Sequence, residues 1–391
     1  MLDYGPLRTS NEEEQFRAIA GLAFQFPDAY WAPYVERMGR ENIRVIRRGE
    51  TVVGGLGFYP IGQWFGGRSV RMAGIAAVAV PAEERSHGIA AELMTRTLRE
   101  LKEAGYPIST LYPATQVLYR KVGYEQAGNL ARHELPVAQI GNLGRPCAVE
   151  AIDSAERDRL IPCYDRFART RNGLLDRNPG MWTRLHEPFE SKTRMYGAIE
   201  GGELTGYVVV QQKSTDRAYD LNLRDFVATT EAALRSLWTF LYGFRSQAGR
   251  VAWSGPVNDP FQTILVEQHG EGSVIRSERW MIRVLDVAAA LSARGYSSDL
   301  NLALELRVED DLLPENSGGY RLEVSAGRAK VERVEEPRGL RMHVRGLAPL
   351  YSGLFGARQL ASLGWVEGEG TALDVAERLF AGSEPWMSEG F

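Results

Sequence analysis

IAAVAVPAEERSHGIAA, Ile75 to Ala91, reads as an apolar strand, a turn at Arg85-Ser86-His87-Gly88-Ile89-Ala90, and a helix running on through ELMTRTLRELKEAG. A strand delivered into a helix through such a turn builds an anion site. Gly88 lets the backbone come close to a ligand, and the first N–H groups of a helix have no partners within it. The helix dipole adds partial positive charge at the same end. Residues Ser86, His87, Gly88, Ile89, Ala90 and Ala91 are therefore expected around a phosphate, with Arg85 adding a formal charge.

About thirty residues on stands Leu118-Tyr119-Arg120-Lys121-Val122-Gly123-Tyr124. R-x-x-G-x-A followed by LYRKVGY resembles the acetyl-CoA-binding core of the GCN5-related N-acetyltransferases. The resemblance implies that the first motif holds the CoA pyrophosphate and that Val78, Ala79 and Val80 line the pantetheine arm. It also implies that Tyr119 protonates the departing thiolate. A phenol with a reference pKa of ~10 is neutral at neutral pH, so it can donate to a sulfur leaving group. The alternative is that Tyr119 and Tyr124 are packing aromatics. Arg120 and Lys121 read as a solvated face.

With 391 residues the chain is too long for one ordinary core and suggests two to three domains. A formal charge of −4 with no basic block argues against nucleic acid as partner and mildly favours a cationic small substrate. Cys147 and Cys163 fit neither a metal spacing nor a disulfide framework, and His87, His133, His186, His269 and His343 lack the close pairing of a zinc site. No metal is expected. The start lacks a signal-peptide pattern and no apolar run reaches about 18 residues, so the expectation is a cytoplasmic protein with no membrane contact.

The opening unit reads as helices at Asn11 to Ala23 and Tyr30 to Met38, then strands at Ile43 to Arg47, Thr51 to Tyr59 and Ser69 to Val80. A long helix from Gly88 to Ala104 follows, then a strand at Ile108 to Tyr112, LYRKVGY as a short helix entering another strand, and Arg132 to Val137. Gly141 to Pro146 reads as a linker. From Ala148 the order repeats: helices at Ser154 to Thr170 and near Met181, strands at Thr193 to Glu200, Leu204 to Gln212 and Asp220 to Ala228, and a helix at Glu231 to Gly243. This second copy resembles an acetyltransferase fold without its cofactor turn. Ala228-Thr229-Thr230-Glu231-Ala232-Ala233 carries an acid and no glycine, which would repel a pyrophosphate.

After Trp280-Met281-Ile282-Arg283-Val284-Leu285-Asp286-Val287-Ala288-Ala289-Ala290-Leu291 the pattern changes. Strands are expected at Leu302 to Val308, Gly319 to Ala326, Lys330 to Arg333 and Leu340 to Val344, with helices at Leu347 to Phe355 and Thr371 to Phe380. The whole order resembles the enhanced intracellular survival (Eis) family. It implies a mixed α/β (α+β) chain: a catalytic acetyltransferase unit over 1–140, a degenerate one over 147–285, and a sterol-carrier-protein-like domain over 286–391. Homo-oligomers, commonly hexamers, are also implied.

The chain closes on Glu384-Pro385-Trp386-Met387-Ser388-Glu389-Gly390-Phe391, an aromatic ending where a polar tail is usual. The resemblance implies that the terminal carboxylate, here on Phe391, enters the first unit's active site as general base. The alternative is that Trp386 and Phe391 simply dock the tail. Glu389 is expected at the mouth of the site, or else as a solvated acid, and Phe24, Asp28 and Trp31 where the first helices flank the acceptor pocket. Together these readings give an acetyl-CoA-dependent N-acetyltransferase acting on an aminoglycoside-like or polyamine acceptor, with a lysine side chain next. The rival is a lipid- or ligand-binding, CoA-sensing protein that uses its sterol-carrier-like domain.

Overall fold

The computed structural model describes residues 1–186, 193–215, 219–265 and 273–391. His269 lies outside them.

The first unit comprises β1 (Leu2–Pro6), α1 (Ser10–Phe24), α2 (Trp31–Met38), β2 (Ile43–Arg48), β3 (Thr51–Phe65), β4 (Arg68–Ala79), α3 (Ile89–Glu103), β5 (Ile108–Leu111), α4 (Gln116–Lys121) and β6 (Glu125–Pro136). The second comprises β7 (Ala148–Ile152), α5 (Leu160–Ala168), β8 (Leu175–Asp176), α6 (Pro179–His186), β9 (Thr193–Glu200), β10 (Glu203–Ser214), β11 (Tyr219–Ala228), α7 (Glu231–Tyr242), β12 (Ala248–Gly255) and β13 (Ser273–Val284). The third comprises α8 (Val287–Ala293), β14 (Asn301–Glu309), β15 (Gly318–Ser325), β16 (Arg328–Val334), β17 (Leu340–His343), α9 (Val344–Ser352), α10 (Ala357–Ser362), β18 (Val366–Glu367) and α11 (Gly370–Phe380). This is the expected mixed α/β class. Among the described residues no helix is long and apolar enough to cross a membrane.

The strands of the first two units form one thirteen-stranded sheet in the order β1-β2-β3-β4-β5-β13-β6-β12-β11-β10-β9-β7, with β8 pairing β3. The WMIRVL segment forms the end of β13 and lies between two strands of the first unit. Met281 to Val284 pair with Leu111 to Ile108, while the other edge of β13 pairs β6. In turn β6 pairs β12. Periodicity marks a strand but not its neighbour, so this exchange has no signature in the pattern of one chain.

Helix α3 buries Ile89, Leu93, Met94, Leu98 and Leu101 on one face of the sheet, at the spacing of an amphipathic helix. On the other face lie Phe16 and Ala20 of α1 and Trp31, Val35 and Met38 of α2. The third unit is a five-stranded sheet, order β16-β15-β14-β17-β18, packed with α8 to α11.

Several expectations shift. The helix expected over Ser154 to Thr170 begins as a 3-10 turn, Ser154–Arg159, and becomes α-helical only at Leu160. Pro162 explains this: its ring is tolerated in a first turn but clashes with a carbonyl one turn earlier. Short strands β1, β7 and β12 join the sheet edges or its centre although LDYGP, AVEAI and AGRVAWSG carry weak strand patterns. The helix expected at Leu347 to Phe355 runs instead over Val344–Ser352, and a further one, α10, follows Gly356.

The three units are tied by a buried ion pair. Arg283 of β13 meets Asp310 at 2.7 Å with both side chains enclosed, and the backbone N–H groups of Leu312 and Leu313 and the Asn316 amide also donate to that carboxylate. Burial pushes the Asp310 pKa up, but the guanidinium and these donors outweigh it and hold the carboxyl below its usual range. Gly123 belongs to the same corner: its φ is +88° and a Cβ there would come within 2.8 Å of the Arg283 guanidinium. Replacing Arg283 by Ala should therefore cost about 3–5 kcal/mol by leaving Asp310 buried and unpaired. Urea unfolding of R283A checks this; an unchanged midpoint would show that the pair is not holding the units.

Candidate active site

Between β4 and α3 the backbone is set for close approach. Ser86 and Gly88 both take left-handed conformations, φ 66° and 78°, and a Cβ on Gly88 would meet nothing within 4 Å. Alternating left-handed residues turn successive N–H groups toward one side, the geometry of an anion nest. Arg85, Ser86, His87 and Gly88 are exposed, whereas Ile89 is buried and Ala90 and Ala91 are half-buried in the first turn of α3. No side chain caps this helix. The corresponding helix of the second unit differs at that point. The Thr230 hydroxyl accepts from Ala233 N–H at 3.1 Å and donates to Glu200 at 2.9 Å, so the N-terminus of α7 is already capped beside two acids.

Next to this turn the sheet opens. β4 and β5 run parallel and pair from Met72/Ile108 to Gly74/Thr110, and the pairing stops there. Beyond it β4 carries a bulge against β3, between the pairs Gly57/Ala76 and Gly55/Ala79, with Ala77 held at φ +51°. A non-glycine residue in that region costs roughly 1–3 kcal/mol, and bulges gather beside active sites. Val78 and Val80 pack against the cluster on the α3 side, and Ala79 belongs to the core on the opposite face.

Tyr119 stands on α4, in that α3-side cluster with Ala73, Ile75 and Leu111. Its ring meets Tyr124 edge-on at 6.0 Å, and Tyr124 in turn shares a 2.7 Å hydrogen bond with Ser109. Burial pushes the Tyr119 phenol up to about 12, so it stays protonated across the neutral range.

The tail reaches the same opening from the other face. Trp386 N–H donates to Asn172 O, Asn129 N–H to Pro385 O and Met387 N–H to Asn129 O, all within 3.2 Å. The Glu384 carboxylate accepts from Val257 N–H, Asn258 and Asn129. Tyr112 donates to Met387 O at 3.2 Å and Arg184 to Gly390 O. Glu389 ion-pairs with the buried Arg177, which also holds Asp225 at 2.6 Å. Its carboxylate is thus engaged inside the protein rather than presented at the mouth. Phe391 lies over Gly74, where a Cβ would be 2.9 Å from its ring, and edge-on to Tyr59 and Tyr112 at 6.2 Å each.

Phe391 forms one wall of a cavity of about 500 Å³ between the first two units. Phe24, Phe26, Tyr30, Trp31, Tyr34, Tyr59 and the strained Ala77 line it from the first unit; Arg184, Gln211, Lys213, Asn222 and Arg224 line it from the second. Of the three residues expected on its wall, Phe24 and Trp31 line the cavity. Asp28 is exposed and does not. The cavity thus meets the end of the tail at the bulged strand, while Tyr119 approaches that strand from behind.

Residues 6–127 and 173–284 each match an acetyltransferase (GNAT) domain family, and residues 287–388 match the sterol carrier protein domain family. The crystal structure of a GCN5-related N-acetyltransferase from Anabaena variabilis is 37% identical over the full length of both chains, with a TM-score of 0.95. The chain belongs to the GCN5-related N-acetyltransferases. An uncharacterized N-acetyltransferase of Streptomyces coelicolor is 29% identical over 83% of this chain and 82% of its own length. N-acetyltransferase Eis of Mycobacterium tuberculosis is 26% identical over 74% of this chain and 73% of its own. The protein is accordingly an enzyme of the acyltransferase class, an Eis-like acetyltransferase with a sterol-carrier-type third domain, and acetyl-CoA is the cosubstrate of its family.

The sequence pattern does not place Tyr34, Tyr59 and Tyr112 of the first unit, or Arg184, Lys213 and Arg224 of the second, at this site. The strands VVVQQK and LNLRDF do carry a signal: Gln211 and Lys213, like Asn222 and Arg224, recur two residues apart and so share one face. The site rests on Arg177 as well. R177Q should loosen Glu389 and let carboxypeptidase strip Phe391 about tenfold faster than from the parent protein, since losing 1.4 kcal/mol already gives that factor. Equal stripping rates would show that the tail is held elsewhere.

Proposed function

We propose that the protein transfers acetyl from acetyl-CoA directly to a primary amine in a ternary complex. On this reading residues 1–140 carry the chemistry, 147–285 form the second wall of the acceptor cavity, and 286–391 deliver the tail. The observation that carries it is the convergence of an uncapped, glycine-led α3, the β4–β5 opening, buried Tyr119 and terminal Phe391 on one strand.

The N–H groups of Gly88 to Ala91 would hold the pyrophosphate, with Arg85, Ser86 and His87 beside it. The free edge of β4 after Gly74 would take the pantetheine amides, with Val78, Ala79 and Val80 along it, and backbone N–H groups at the bulge would polarise the thioester carbonyl. The amine nitrogen bonds to the acetyl carbon as the C–S bond breaks. The Phe391 carboxylate, or a water it orients, takes the amine's proton. Tyr119 gives its own to sulfur. The burial that keeps the phenol neutral also disfavours a bare thiolate next to it, which favours the transfer.

A polycationic acceptor such as an aminoglycoside or polyamine rests on the family resemblance alone; what the cavity supports is one primary amine at its aromatic end. Aromatic faces in the cavity support a cationic group there. The carboxylate of Phe391 would attract the ammonium. A homo-oligomer is supported by the family resemblance alone.

Three results test this reading. Tyr119→Phe should lower turnover by about 10²-fold or more while acetyl-CoA affinity is kept; parent-like turnover removes Tyr119 from the mechanism. Because the phenol is held up to about 12, turnover should show no loss from its ionisation as pH rises through 10. A fall centred near 10 that vanishes in Y119F would contradict so enclosed a phenol. Extending the chain beyond Phe391 should suppress acetylation without unfolding the protein, and full activity in the extended form would exclude the terminal carboxylate as base.

A further inference from the structure

The cavity wall opposite the aromatics is cationic. Arg184, Lys213 and Arg224 line it from the second unit, Arg37 adds a cation from α2 beside the aromatics, and none of the lining side chains among the described residues is acidic, although the chain as a whole carries a net charge of −4. Lys213 and Arg224 form no ion pair among the described residues, and the buried Nε of Arg224 has no hydrogen-bond partner there. Arg224 does donate to the Arg184 carbonyl at 3.3 Å, and Asn222 and Gln211 beside it are tied to one another at 2.6 Å. Burial, followed by repulsion from Arg184, lowers the pKa of Arg224 although Asp225 and Glu389 pull it up; burial also lowers that of Arg37. Arg224 is half-buried beside Arg184 with its Nε donor unmet among the described residues, and Lys213 is exposed on the same wall, so the wall offers an anion one free donor and a second cation.

Building on the transferase reading, we infer that the acceptor is an amine that also carries an anionic group, a carboxylate or a phosphate, joined by an apolar or aromatic body. The amine sits at the Phe391 end. The acid sits against Lys213 and Arg224 of the second unit, with Arg184 between it and the tail. A polycation would set ammonium groups against this wall, where like charges at contact distance repel. The second unit, whose helix α7 is capped, thus serves as the acid-reading half of the acceptor site.

The test uses the 391-residue chain with nothing added after Phe391 and acceptors in matched pairs: 4-methylbenzylamine against 4-(aminomethyl)benzoate, tyramine against tyramine O-phosphate, with spermidine and an aminoglycoside alongside. Thiol release gives kcat/KM, and displacement by the amine-free acids 4-methylbenzoate and 4-ethylphenyl phosphate gives binding without transfer. The acid-bearing member of at least one pair should be favoured by about tenfold or more, the benzoate pair marking a carboxylate site and the tyramine pair a phosphate site. K213Q and R224Q should each erase most of that advantage, read as the ratio of kcat/KM within a pair. Preference for spermidine or the aminoglycoside, or a ratio unchanged in both variants, overturns the inference. Binding of the amine-free acids that weakens in R224Q, with no amine acetylated, supports the anion site and instead defeats the transferase reading.

Discussion

One strand sets the arrangement of the whole site. β13 leaves the second unit and lies between β5 and β6 of the first, so two acetyltransferase-like halves share one hydrogen-bonded sheet. Backbone pairing on both edges fixes the relative position of the halves far more tightly than a side-chain interface would. The cavity between them, with aromatic side chains and Arg37 from one and polar and cationic side chains from the other, follows from that exchange. So does the route of the tail: Trp386 bridges to Asn129 of β6, the strand that flanks β13. Trp280 of β13 donates to Asn129 O at 3.2 Å, placing the exchanged strand and the tail on the same residue.

Two helices of similar position differ at their first turns, and the proposed division of labour rests on that difference. The start of α3 follows a left-handed glycine and has no side-chain cap. The start of α7 follows a threonine that satisfies one of the helix's first N–H donors itself and recruits Glu200. The dipole is alike in both, but the first end is uncapped and the second is capped beside two acids. The second half keeps its sheet and helices and presents polar side chains from β10 and β11 to the acceptor cavity. The third unit carries the sterol-carrier fold, and its buried Arg294 donates to backbone carbonyls of Gly295 and Tyr351 within its own core.

The proposed cofactor side is readable in the sequence because its determinants are local. Gly88, the apolar strand before it and the amphipathic helix after it lie within about thirty residues, and turn chemistry and helix periodicity report them directly. Tyr119 is legible only as part of a motif, since a tyrosine on a short helix has no pattern of its own. The acceptor side is much less so. Phe24 and Trp31 lie on the cavity and Asp28 does not, while Arg184, Lys213 and Arg224 arrive from another unit some 150 residues or more away in sequence. Charge summed over a chain says nothing of which charges meet, and the acidic total conceals a basic wall. Glu389 illustrates the same point: its partner Arg177 is brought to it by the fold and by nothing near it in the sequence.

The proposed division of labour has the first unit hold the cosubstrate while the second, capped at α7, does not. Titration calorimetry of acetyl-CoA into the full chain measures this most directly. One site per chain is the expected stoichiometry. Two sites per chain would mean that the capped end of α7 still holds a pyrophosphate, and no binding would mean that the open turn before α3 is not a cofactor cradle.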